Sequence, residues 1–134
     1  MEQCVFLAFQ ARLEDGSVLS RDRVAIGSEL NVYVPEKLLA VEYGAWHWHR
    51  NRIDRDRKKA DMCESRGIRL IEIYDAFPED EVQPYGMECL TFRSPLSLTR
   101  NRKELHALLN LLLECADLPA LSTDEFAKVS AQAH

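Results

Sequence analysis

The chain has no apolar run long enough to cross a bilayer. The longest candidate, residues 105–113, is broken by His106 and Asn110, whereas a spanning helix needs about 20 mostly apolar residues. Its start, Met1-Glu2-Gln3-Cys4, lacks the basic opening of a secretory signal, so an intracellular, cytoplasmic protein with no membrane partner is expected. No C-x-x-C pair is present. Cys4, Cys63, Cys89 and Cys115 lie far apart, which argues against a zinc knuckle and for free, mostly buried thiols in a reducing compartment. Internal repeats and low-complexity linkers are absent too. There is no overall excess of positive charge: the net charge of −5 argues against a surface coated for nucleic acid.

What is present fits one folded domain, residues 1–134. With 134 residues, 46% hydrophobic and 29% charged, the chain can bury a single core and is not of disordered composition. The charges are unevenly placed. Between residues 50 and 59, Arg50, Arg52, Arg55, Arg57, Lys58 and Lys59 face only Asp54 and Asp56, a local balance of +4. Between 75 and 88 stand Asp75, Glu79, Asp80, Glu81 and Glu88 with no basic residue. A charge run of this kind is either a solvated helix face or a footprint for a polyanion.

Periodicity predicts an α/β order. Apolar positions Val5, Phe6, Phe9 and Leu13 read as a helix over residues 2–13, stopped by Asp15-Gly16-Ser17. Residues 24–26 are a short strand candidate, and residues 30–34 alternate as a strand before the tight turn Pro35-Glu36-Lys37. Residues 38–43 form a nearly continuous apolar run, the pattern of a buried central strand, and so short a turn predicts an antiparallel hairpin. Residues 53–66 read as an amphipathic helix with Ile53, Ala60, Met62 and Cys63 as its apolar positions and Gly67 as its stop. The strand predicted over 68–74 should lie parallel to 38–43 after a right-handed crossover. Residues 78–86 read as a loop, and residues 88–92 as an edge strand ended by Pro95. A strongly apolar helix follows over 102–116, and Ser122-Thr123-Asp124-Glu125 offers cap chemistry for a final helix fraying towards His134.

Three segments carry a resemblance. Glu29-Leu30-Asn31-Val32-Tyr33-Val34-Pro35 is similar to a pattern E-[LI]-D-[IV]-Y-[IV]-P. Leu39-Ala40-Val41-Glu42-Tyr43-Gly44-Ala45-Trp46-His47-Trp48-His49 is similar to L-A-I-E-Y-[DN]-G-x-Y-W-H. Arg55-Asp56-Arg57-Lys58-Lys59, followed by Glu64-Ser65-Arg66-Gly67-Ile68-Arg69-Leu70-Ile71, resembles R-D-x-x-K…E-x-x-G-I-[RK]-[LV]-I. Glu2-Gln3 is similar to an E-Q pair. Together they resemble the PD-(D/E)XK, restriction-endonuclease-like nucleases, in the branch of very-short-patch-repair and homing-type endonucleases. The resemblance covers residues 2–74, and residues 75–134 would be an edge strand and helical extension.

That resemblance implies a core of helix, three-strand meander, helix and parallel strand. It also implies a DNA-binding endonuclease that hydrolyses phosphodiester bonds with Mg²⁺ or Mn²⁺. Glu42 stands at the second carboxylate position, and Asn31 where the family has its first, an aspartate; these two are the metal positions. Gly44 stands where the family holds Asp, Asn or the Lys of E-x-K. A neutral amide is a weak Mg²⁺ ligand, so the resemblance implies weakened or lost cleavage. His49, matching a family histidine, and Glu2 complete the catalytic candidates. Arg55, Arg57, Lys58, Lys59 and His47 are the candidate DNA contacts. Three readings are open: a degenerate nuclease that keeps fold and DNA binding, a site using other ligands such as Glu2, His47 or His49, or an Asn31 introduced in place of an acid.

Each residue also has a purely structural reading. Glu42 in so apolar a strand must be paired or ligating. Trp46 and Trp48 can close a core, with His47 and His49 as satisfied neighbours, and Lys58 and Lys59 can be solvated helix residues. The alternative function is a non-catalytic module binding DNA or a partner protein, with a homodimer left open; a third reading is a regulator of a toxin or defence complex docking through residues 105–113. Core packing explains that apolar helix equally well.

Overall fold

Residues 39–41 are apolar on both sides of the chain, and residues 70–74 are buried on both sides despite Glu72, so each needs cover on two faces, and this requirement organises the molecule. The computed structural model describes residues 1–93 and 98–133. Its centre is a five-stranded mixed sheet in sequence order, β1 (Leu19–Asp22), β2 (Leu30–Val34), β3 (Leu39–Ala45), β4 (Arg69–Asp75) and β5 (Cys89–Thr91). The first three strands form an antiparallel meander. β4 lies parallel to β3, with Leu39 opposite Arg69 and Glu42 opposite Glu72, and β5 lies parallel to β4. The hairpin and the parallel crossover both match the sequence expectation.

Helices cover both faces. On one, α1 (Glu2–Gln10), α4 (Arg102–Cys115) and α5 (Thr123–Gln132) build the main core around Phe9, Val41, Ile71, Ile73, Leu109 and Leu112. Leu105, Leu108, Leu109, Leu112 and Leu113 are all buried, each contributing about 1.5–3 kcal/mol. The apolar face of α4 is therefore core, not a docking surface. On the other sheet face, α3 (Ile53–Glu64) closes a second cluster containing Tyr33, Ala40, Cys63 and Leu70. A short α2 (Trp46–His49) follows β3 and sets Trp46 against Tyr74 and Phe77.

Local chemistry explains the boundaries. Gly67 at φ +71 ends α3, with Ile68 N–H bonded to Cys63 O and Gly67 N–H to Glu64 O, a Schellman stop. Ser122 caps α5 with a reciprocal capping box to Glu125. Arg12 then latches α5 to α1, with bonds of 2.6 and 2.8 Å to the Glu125 carboxylate and others to Pro119 O and Ala120 O.

Several boundaries correct the expectation. Residues 24–26 form no strand; the edge strand is β1, upstream. The Asp22 carboxylate accepts the N–H groups of Val24 and Ala25 at 3.2 and 2.9 Å, a local bond that pulls the chain out of the ladder. Ile26 is still buried, but on a bend. Leu38 is left-handed (φ 48) and half exposed, so β3 begins at Leu39. α1 ends at Gln10 and residues 11–12 are a turn. The helix α2 was not expected at all. Pro95 and His134 lie outside the described residues. All four cysteines are free, Cys4 and Cys63 buried. Among the described residues no helix is long and apolar enough to cross a membrane.

Candidate functional site

The register of β2 with β3 pairs Val32 with Val41, so one step along Asn31 lies opposite Glu42 on the face covered by α3. There the ladder gives way to side chains. Glu42 Oε2 accepts the Asn31 N–H at 2.6 Å, and Asn31 Oδ1 accepts the Tyr43 N–H at 2.9 Å. The other Glu42 oxygen takes the Lys59 ammonium from α3, which also donates to Glu29 O at 2.8 Å. Burial pushes the Glu42 carboxyl above its ordinary value, while Lys59 and the Asn31 N–H pull it back towards the carboxylate.

Beside it, β4 contributes Glu72, in register with Glu42 and 1% exposed. Its Oε2 has no partner among the described residues. Burial, reinforced by the charges of Asp56 and Glu42, pushes this carboxyl up to about 8. Asp56, on the covered face of α3, accepts the Tyr74 hydroxyl at 2.8 Å and sits 2.9 Å from His49 Nδ1. When Nδ1 donates to a carboxylate, the neutral ring keeps its lone pair on Nε2. That nitrogen lies against β3: a Cβ built on Gly44 would fall 2.0 Å from it. The bare position 44 is therefore filled by His49, folded back over the strand by α2.

The remaining candidates are distributed as follows. Arg55, Lys58 and Lys59 line one cleft of about 460 Å³ together with Ser28, Glu29 and Met62. Arg57 lies elsewhere on α3, its guanidinium 5.5 Å from the Tyr85 ring and paired with Asp54 at 3.7 Å. The basic run thus divides between two helix faces. His47 is exposed and stacks edge-on against Trp48 at 5.1 Å. Glu2 is not brought to Asn31 and Glu42. It heads α1, in the layer on the opposite sheet face, and pairs with Arg21 at 3.4 Å.

Asp56, Glu72 and Tyr74 join the site without having been singled out. Asp56 does carry a sequence signal, since Ile53, Asp56, Ala60 and Cys63 fall at helical spacing on the covered face of α3. Glu72 carries the same signal as Glu42, an acid inside an apolar strand. Nothing local marks Lys59 as the partner of Glu42.

Mg²⁺ or Mn²⁺ needs charged oxygen ligands. Here both Glu42 oxygens and the Asn31 oxygen are already engaged, and no group of three or more His, Cys, Asp or Glu able to hold a metal occurs among the described residues. As arranged, these residues do not fit a divalent ion. They form instead a buried acidic set in which a lysine pairs with Glu42 alone, a carboxylate-fixed imidazole, and a basic cleft reached through Lys59. In comparisons with protein-family models, curated proteins and solved structures, the chain matches none.

Proposed function

We propose that the chain is a DNA-binding protein on a restriction-endonuclease-like core whose phosphodiester cleavage is weakened or lost. The observation that carries this reading is the meeting of Asn31 and Glu42 on one sheet face, beside the parallel strand β4, with Lys59 linking Glu42 to a cleft that Arg55 and Lys58 also line. The motif resemblance calls for that meeting, and the cleft supplies cations for phosphate oxygens. Arg55 and Lys58 form no ion pair among the described residues, so their charge is open to a polyanion. The lysine on Glu42 and the amide at 31 account for weak cleavage. The same lysine favours a second reading, a module that binds DNA or a protein without catalysis.

A plasmid-nicking assay with Mg²⁺ or Mn²⁺, run beside a duplex-binding titration, tests both readings. The unaltered chain should bind duplex and nick feebly, and Asn31→Asp should raise nicking by restoring a charged oxygen. Strong nicking that survives Glu42→Ala refutes the site. DNA binding without any gain from Asn31→Asp favours the module, and no binding at low salt refutes DNA as the ligand.

A further inference from the structure

The Glu42 site already contains a cation, and it belongs to the chain. We propose that the Lys59 ammonium is the resident cation of this site, seated where a divalent ion would otherwise meet Glu42, and that removing its charge turns Glu42 and Glu72 into a divalent-cation site. This stands on the Lys59–Glu42 geometry whether or not DNA is the ligand.

Three observations carry it. Lys59 Nζ is held at two points, by a Glu42 oxygen and by Glu29 O, so the ammonium is seated and not swinging in solvent; its side chain is only 23% exposed. Glu72 lies beside Glu42 on the neighbouring parallel strand, where strands run about 4.8 Å apart and in-register side chains share a face. Its Oε2 is buried without a partner among the described residues, leaving an unused oxygen ligand next to an occupied one. One ammonium satisfies one carboxyl group; the second is left over.

Taking away Lys59 leaves Glu42 as an uncompensated buried charge, a strongly unfavourable state. The site must then take up a proton or another cation, and two adjacent carboxyl groups, which bind an ion by giving up any proton they hold, favour a divalent ion with oxygen ligands at 2.0–2.6 Å or so. Asp56, whose charge acts on both acids, adds to the attraction. In the unaltered chain the tethered ammonium competes with the ion at very high local concentration, so divalent binding at Glu42 should be weak.

The test uses Mn²⁺ alone and the full chain. Free Mn²⁺ is followed by electron paramagnetic resonance as protein is added, with circular dichroism reporting the fold. Lys59→Met should bind Mn²⁺ about tenfold or more tighter than the unaltered chain, the scale of a supporting-group change at a metal site. Adding Glu42→Gln should abolish that gain, and adding Glu72→Gln should reduce it. A folded Lys59→Met that binds no better than the unaltered chain overturns the proposal. So does tight binding by the unaltered chain that Glu42→Gln abolishes, an arm that needs no lysine variant to fold. Lys59→Gln, which keeps a donor towards Glu29 O, is the second variant if Lys59→Met unfolds. Because no DNA is present, failure here is distinct from failure of the DNA-binding reading.

Discussion

His49 occupies the space that a side chain at Gly44 would need: its Nε2 lies 2.0 Å from where a Cβ of residue 44 would stand. Gly44→Ala must therefore expel the ring and break its bond to Asp56. A hydrogen bond to a charged partner contributes about 1.5–3 kcal/mol, so Gly44→Ala should destabilise by that amount. His49→Ala should cost about as much, and the double variant no more than either alone, because both remove the same interaction. Urea denaturation of the four chains measures it; fully additive losses would contradict the contact.

Stability should fall with pH through Glu72. Its carboxyl is pushed up to about 8 in the fold, from an ordinary 4.5, first by burial and then by Asp56 and Glu42. Between those values the folded chain keeps a proton that the unfolded chain has lost. Stability is then full below about pH 4.5, declines as pH rises, and levels off above about 8. Glu42 is raised as well, so its contribution has the same sign. Glu72→Gln should flatten most of the decline and raise Tm at pH 8.5 more than at pH 5. Equal slopes for the two chains in thermal melts would place the titration elsewhere.

The two faces of α3 should behave differently towards DNA. Arg55→Glu with Lys58→Glu reverses two of the three positive charges lining the cleft and should weaken duplex binding. Each lost phosphate contact should also lower the salt slope by about 0.9. Arg57→Glu, at a residue engaged by Tyr85 and Asp54, should do much less. Fluorescence anisotropy across a salt series separates the two; equal losses would mean a diffuse field and no defined cleft contact.

Arg12 should hold the C-terminal helix. Its guanidinium reaches the Glu125 carboxylate and two carbonyls, and pulls the Glu125 carboxyl down to about 2. Arg12→Ala should speed amide exchange across α5 while leaving β3 and β4 protected. Ser122→Ala should add about 1 kcal/mol of destabilisation through the lost cap. Unchanged exchange in α5 would show that Phe126 and Val129 packing alone suffices.

The sequence by itself determined the elements whose signals are local. The apolar runs gave β3 and β4, Pro35-Glu36-Lys37 gave the hairpin, Gly67 the end of α3, and Ser122 with Glu125 the start of α5. The same patterns paired Asn31 with Glu42, because period-two alternation and a short turn leave one register that buries the right face. The tertiary structure alone decided what competes over distance. Asp22 drew residues 24–26 out of the sheet through its side chain. α2 formed because Trp46 found Tyr74 and Phe77, neither of them its sequence neighbour. Lys59, one of six basic residues in its run, met Glu42 only because the crossover laid α3 over β3. Charge along a sequence says nothing about which cation is seated and which faces solvent; that depends on which helix face the sheet covers.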